Sequence, residues 1–128
     1  MEACVYGDLR IGVVDDDAHG VIRLDWTGKS NHQRPDLVLS SLFASVTSRA
    51  VTERKALDMH FERLEFFNSS TITAIIGHIK DLRDRRVKLT VTFDPDHRWQ
   101  RIFFDALRML DKGDGLFTIN PPPPPSRR

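Results

Sequence analysis

The sequence is short of the features that mark most dedicated chemistries. Cys4 is the one cysteine in 128 residues, so neither an internal disulfide nor a cysteine-rich zinc site can form. Lysine and arginine number 19 against 18 acidic residues, and the formal net charge of +1 lacks the broad basic footprint of a dedicated nucleic-acid binder. No apolar run approaches the roughly 20 residues that a bilayer-spanning helix needs. The opening MEACVYGDLR lacks the basic-then-apolar order of a secretory leader. The Gly-rich phosphate loops, the zincin helix and the nucleophile elbow are all missing. These absences predict a cytoplasmic protein with no catalytic centre, no metal, no cofactor and no membrane contact.

What is present is an ordinary globular balance, with 40% hydrophobic and 29% charged residues, which excludes a wholly disordered chain. The tail stands apart. Pro121 to Pro125 cannot join a helix or sheet and should run as extended polyproline, a disordered spacer or an SH3-type ligand. The reading is one domain over 1–120 and a proline-rich tail over 121–128.

Within 1–120 two periodicities alternate. Leu9, Ile11 and Val13 form a first strand, and Ile22, Leu24 and Trp26 a second, its hairpin partner. Pro35 and Asp36 open a helix that carries Leu39, Leu42, Phe43, Val46 and Ala50. Leu57, Met59 and Phe61 make a third strand. Ile72, Ile75, Ile76, Ile79 and Leu82 make a second helix, ending in Arg83, Arg85 and Arg86. Val87 to Phe93 is a fourth strand. Trp99, Ile102, Phe103, Ala106, Leu107 and Leu110 stripe a third helix, and Leu116 to Ile119 closes the chain as a short strand. The order ββαβαβαβ predicts an α/β fold with a mixed sheet of four or five strands. The third and fourth strands alternate polar with apolar residues. A parallel sheet buried on both faces would be apolar throughout, so the helices are expected mainly on one face.

Candidate chemical residues are few. His19, His32, His60, His78 and His97 stand too far apart for helical or finger-type metal pairs, and each is read as a surface or turn residue. Asp15-Asp16-Asp17 lacks the glycine and distal glutamate of a cation loop and reads as a solvated hairpin turn. Cys4 reads as an inert strand residue. The most informative segment is Asn68-Ser69-Ser70-Thr71, four small polar residues between a strand and a helix start. Capping needs only one of them. The others sit where free backbone N–H groups and the positive end of the helix dipole favour an anion.

The element order, with a hydroxyl-rich turn opening the second helix, resembles the STAS domain of the bacterial anti-sigma-factor antagonists. Their strand, Asp-Ser-Ser-Gly and aliphatic helix are matched by Phe66-Phe67-Asn68-Ser69-Ser70-Thr71-Ile72. Asn68 stands in place of their acid and Thr71 in place of their glycine. Phe67-Asn68-Ser69-Ser70 is also similar to the aromatic-Asn-Thr-Ser-Ser of the SiaC-type regulatory phosphoproteins. Both resemblances imply phosphorylation at Ser69, with Ser70 and Thr71 as fallback sites, and a phosphorylation-controlled partner switch. They imply a histidine-kinase-like serine kinase, a PP2C-type phosphatase, and either an anti-sigma factor or a diguanylate cyclase as partners. Asn68, Ser69, Ser70 and Thr71 are the expected docking residues, joined by Lys29, Ser30 and Asn31 of the loop that runs on to His32, and by Trp99. Trp99 also fits the core, and the loop also fits a solvated connector. The rival reading is a small-ligand or nucleic-acid module using Lys80, Arg83, Arg85, Arg86 and Lys88. Asp81 and Asp84 interrupt that stretch, and no aromatic residues are interleaved for base stacking.

Overall fold

A computed structural model describes residues 2–31 and 34–122. His32 and the tail beyond Pro122 lie outside the described residues. The chain forms β1 (Glu2–Tyr6), β2 (Leu9–Asp16), β3 (Val21–Ser30), α1 (Asp36–Glu53), β4 (Ala56–Phe67), α2 (Ser69–Asp84), β5 (Leu89–Thr92), α3 (Arg98–Leu107), a 3-10 turn at Arg108–Leu110 and β6 (Phe117–Asn120). The six strands lie side by side in chain order. β1, β2 and β3 are antiparallel neighbours, and β3 to β6 run parallel.

This topology explains where the helices go. Each parallel step, β3 to β4, β4 to β5 and β5 to β6, moves one place in the same direction through a helix. Right-handed crossovers that all step the same way put all three helices on one face. That face holds the core, in which Trp26, Phe61, Phe104 and Phe117 are fully buried. The opposite face carries Arg23 and Asp25 on β3, His60 and Glu62 on β4, and Thr90 and Thr92 on β5. The one-faced α/β architecture therefore matches the sequence reading, with six strands in place of four or five.

The additional strand is β1. Tyr6 pairs with Leu9 across a two-residue turn, Gly7-Asp8, in which Gly7 takes φ 60°. Its signal, a Gly-Asp pair between short apolar stretches, is a hairpin signal, but β1 is an edge strand with Val5 largely exposed, so its alternation is faint. Gly28 is required for a different reason. A Cβ there would lie 1.9 Å from the Asp8 carbonyl oxygen, and its φ is 84°.

The third helix is rotated from the apolar stripe read in the sequence. Gln100, Phe104 and Leu107 are buried, while Ile102 is 59% exposed and Ala106 also faces outward. The cause lies on β4. Its pairing with β3 slips twice, between Asp25 and Thr27 and between Gly28 and Lys29, leaving extra residues on β4. The Gln100 amide donates to the Phe61 carbonyl at 2.8 Å and the Leu64 carbonyl at 3.0 Å within this irregular stretch. Its oxygen accepts from the Asp94 N–H at 2.9 Å. A buried glutamine with these bonds satisfied fixes the helix rotation, and an apolar-only pattern has no place for it.

Candidate functional site

The C-terminal ends of β3 and β4 lie in register, Ser30 beside Phe67. The chain leaves β4 at Asn68, whose N–H donates to the Ser30 carbonyl at 2.9 Å. Asn68 is extended and caps α2: its Oδ1 accepts from the Thr71 N–H at 3.0 Å and from the Thr71 hydroxyl at 2.8 Å. A carbonyl oxygen only accepts, so the single Thr71 hydroxyl proton is committed to Asn68. In the 2.7 Å contact between the Ser30 and Thr71 hydroxyls, Ser30 is therefore the donor. The result is a directed chain, Ser30 to Thr71 to Asn68, joining two strands to the start of α2. Ser30 is 1% exposed and Thr71 is fully buried.

Ser69 and Ser70 stand on the other side of the same turn. Both are exposed, and neither hydroxyl has a hydrogen-bond partner among the described residues. The four small polar residues thus divide. Asn68 and Thr71 build the helix start, while Ser69 and Ser70 face outward at its N-terminus.

The other expected docking residues lie at different depths. Lys29 and Asn31 are exposed at the end of β3 and just beyond it, and the Lys29 N–H donates to the Asp8 carbonyl. Ser30, expected among them, has its side chain occupied and buried. Trp99 is half-buried. Its ring packs on Phe67 with centroids 4.8 Å apart, and its indole N–H donates to the Glu65 carbonyl at 2.9 Å. It therefore neither sinks into the core nor stands free, and it lies against the last residues of β4. Phe66, read in the sequence as part of the strand that runs into Asn68, is 46% exposed on the same strand.

Several of the remaining candidates are paired within the fold. Asp15 and Asp17 both pair with Lys55, and Asp15 also takes Arg49 at 2.8 Å, so the acidic turn is neutralised from within the fold. The same partners hold the Asp15 carboxyl below the usual carboxylate range. In the basic stretch, Arg83 pairs with Asp114 and Arg85 with Asp81. His60 lies on the open face between Asp58 at 3.1 Å and Glu62 at 2.9 Å. Partial burial opposes its protonation, but those two acids outweigh it and raise its pKa.

His78 corrects the reading of every histidine as a surface or turn residue. It is 6% exposed on α2 and stacks on Phe43 with centroids 3.9 Å apart and planes 2° from parallel. Burial pushes its pKa down to about 4, against the pull of Asp81. The signal was present, because His78 falls three residues after Ile75 and four before Leu82, on the buried stripe of the helix. Among the described residues no cluster of side chains could hold a metal ion. No described helix is long and apolar enough to cross a membrane.

No protein-family model and no curated protein matches the chain by sequence. Solved structures do match it in three dimensions. An anti-sigma factor antagonist from Mycobacterium paratuberculosis superimposes with a TM-score of 0.59 at 16% identity, covering 93% of this chain and 92% of the other. The anti-sigma factor antagonist SpoIIAA in its unphosphorylated form gives 0.52 at 17% identity, covering 73% and 81%. The Bacillus cell fate determinant SpoIIAA in the phosphorylated form gives 0.53 at 12% identity, covering 85% and 89%. From its mixed sheet, parallel from β3 to β6, to its single helical layer, the chain has the STAS-like fold of the anti-sigma-factor antagonists.

Proposed function

We propose that this chain is a non-enzymatic signalling protein, a partner switch controlled by phosphorylation of Ser69. The observation that carries the reading is the Ser69 hydroxyl, exposed and without a hydrogen-bond partner among the described residues at the N-terminus of α2, beside the Asn68–Thr71 cap. One of its structural neighbours is known in both phosphorylated and unphosphorylated forms. Ser70, equally exposed, is the alternative acceptor. Thr71 is a poor one, because a kinase would have to break two hydrogen bonds to reach its hydroxyl.

The mechanism is electrostatic. The unmodified domain docks its partner through Ser69, Ser70, Asn31, Lys29 and the outer edge of Trp99. A phosphoryl group adds about two negative charges, taking the formal net charge from +1 to about −1. The helix dipole tolerates that charge at an N-terminus, so the fold survives while the docking surface changes sign. A histidine-kinase-like serine kinase adds the group and a PP2C-type phosphatase removes it. The partner released or recruited is an anti-sigma factor, or a diguanylate cyclase if the chain follows the SiaC-type branch.

Capture of a candidate kinase or anti-sigma factor by Ser69→Ala and Ser69→Asp variants tests this. Retention by Ser69→Ala together with loss by Ser69→Asp, or the reverse, supports the switch. Equal capture by both, with Ser69 unmodified by the kinase, overturns it.

A further inference from the structure

The C-terminal ends of α1 and α2 and the N-terminal ends of β4 and β5 border an open concavity of about 510 Å³, within the size range of small-molecule sites. The backbone around it is tied across the sheet. The Ala56 N–H donates to the Gly20 carbonyl at 3.0 Å, and the Leu57 N–H to the Lys88 carbonyl at 2.8 Å. Arg54, Lys55, Arg85, Arg86 and Lys88 line the concavity, and no acid does. Arg54, Arg86 and Lys88 are exposed and form no ion pair or side-chain hydrogen bond among the described residues. The other two are committed: Lys55 meets Asp15, Asp17 and Glu53, and Arg85 meets Asp81.

A second, independent feature singles out the two unpaired arginines. Arg54 directly follows α1 with φ 56°, and Arg86 lies two residues past α2 with φ 58°. Among the described residues these are the only non-glycine residues with positive φ. Each helix closes with a bond back to its last turn, from the Lys55 N–H to the Ala50 carbonyl and from the Val87 N–H to the Leu82 carbonyl, both at 2.9 Å. That ending takes a left-handed residue, and glycine is its usual occupant because a Cβ is disfavoured there. Both helices use arginine instead, and both arginines line the same concavity. Strained backbone at two neighbouring positions points to a function for their side chains.

We propose that this concavity binds a small soluble molecule carrying a diphosphate group, held by Arg54, Arg86 and Lys88. Guanidinium forks match phosphoryl oxygens bidentately, and a lysine adds a compact point charge. Two linked phosphoryl groups carry about three negative charges near pH 7, which the unpaired cations of the α1–β4 and α2–β5 connections offset. The negative ends of the two helix dipoles oppose an anion here. Each amounts to only about half a charge, less than the whole charges beside it. A nucleic acid fits less well, because no aromatic residue lines the wall for base stacking. The site lies at the far end of α2 from Ser69, with 16 residues of helix, about 24 Å, between them.

The test uses the full chain, labelled with nitrogen-15, titrated with inorganic pyrophosphate and separately with inorganic phosphate. Pyrophosphate should give saturable shifts at the amides of Arg54, Lys55, Arg86 and Lys88, with a Kd below about 0.1 mM at low salt. Phosphate, with half the anionic groups, should bind roughly tenfold more weakly. Arg54→Gly and Arg86→Gly should each weaken pyrophosphate by roughly tenfold, while the urea midpoint stays level or rises, because glycine relieves the backbone. A merely structural arginine would not separate those two readouts. Lys88→Gln leaves the carbonyl that accepts from Leu57 in place and should weaken pyrophosphate by roughly threefold or more. Absence of saturation by about 5 mM pyrophosphate, or unchanged affinity in both glycine variants, would overturn the proposal. So would retention of the chain by duplex DNA or by phosphatidylglycerol vesicles without any binding of pyrophosphate.

Discussion

The two sides of α2 use the same residue types for opposite ends. On its inner side, Thr71 is fully buried with its hydroxyl engaged twice, and His78 is buried against Phe43. On its outer side, Ser69 and Ser70 have the same hydroxyl chemistry, open to solvent and without a hydrogen-bond partner among the described residues. Position on the helix, not residue identity, decides which hydroxyl holds the fold together and which faces solvent. Only the outer pair is open to an enzyme from solvent, because the Thr71 hydroxyl is spent on the cap.

Acid should expose the inner side most strongly. In the unfolded chain His78 titrates near 6.5, and in the fold near 4. The unfolded state therefore binds more protons across that interval, so stability falls as pH drops from about 6.5 towards 4. The loss is about 3 kcal/mol. His60 on the open face works in the other direction. Its raised pKa contributes stability that is present below its unfolded value and disappears as pH rises through the folded one. Urea unfolding at pH 7 and pH 4.5 should show a markedly smaller acid loss in His78→Phe than in the parent chain. Equal losses would remove the contrast between the two histidines.

Thr71→Val is the next largest expected effect. It keeps the shape but leaves the Ser30 hydroxyl buried with nothing to donate to, at a cost of about 1–3 kcal/mol. Asn68→Ala removes the cap from the other end of the same chain of bonds and should cost about 1–2 kcal/mol. If the two changes share one network, the double variant should lose less than the sum of the singles. Thermal or urea denaturation reads all three, and strict additivity would break the network apart.

The outer hydroxyls should matter least to the fold. Ser69→Ala and Ser70→Ala are expected to change stability by no more than about 0.5 kcal/mol. Ser69→Asp should stabilise α2 slightly, by about 0.3–1 kcal/mol, because an acid at an N-terminus complements the helix dipole. Its midpoint in urea should therefore match or exceed that of the parent. A clear destabilisation by Ser69→Asp would mean that Ser69 belongs to the structural side after all.

The sequence made the alternation of strands and helices legible because most elements are amphipathic with one period. Leu39, Phe43, Val46 and Ala50 recur at helical spacing and all face the core of α1. The one-faced helical layer was legible too, from the polar residues alternating through β4 and β5. What stayed hidden depends on contacts distant along the chain. Ser30 and Thr71 are 41 residues apart and share one hydrogen bond. Gln100 is buried because the β4 carbonyls of Phe61 and Leu64 need a donor, and no local pattern announces that need. β1 is faint because an edge strand buries little. At the candidate site, the short motif lies at the turn between β4 and α2. Only the folded chain divides its four polar residues into two that cap and two that face outward.

The central claim is that Ser69 is the residue that receives the phosphoryl group. Peptide mass spectrometry of the chain purified from its native cells, before and after treatment with a PP2C-type phosphatase, tests it most directly. The account predicts a single phosphoryl group on Ser69 that the phosphatase removes, with Thr71 unmodified throughout. A chain phosphorylated on Thr71, or unmodified at Ser69 under every condition in which its kinase is active, would contradict it.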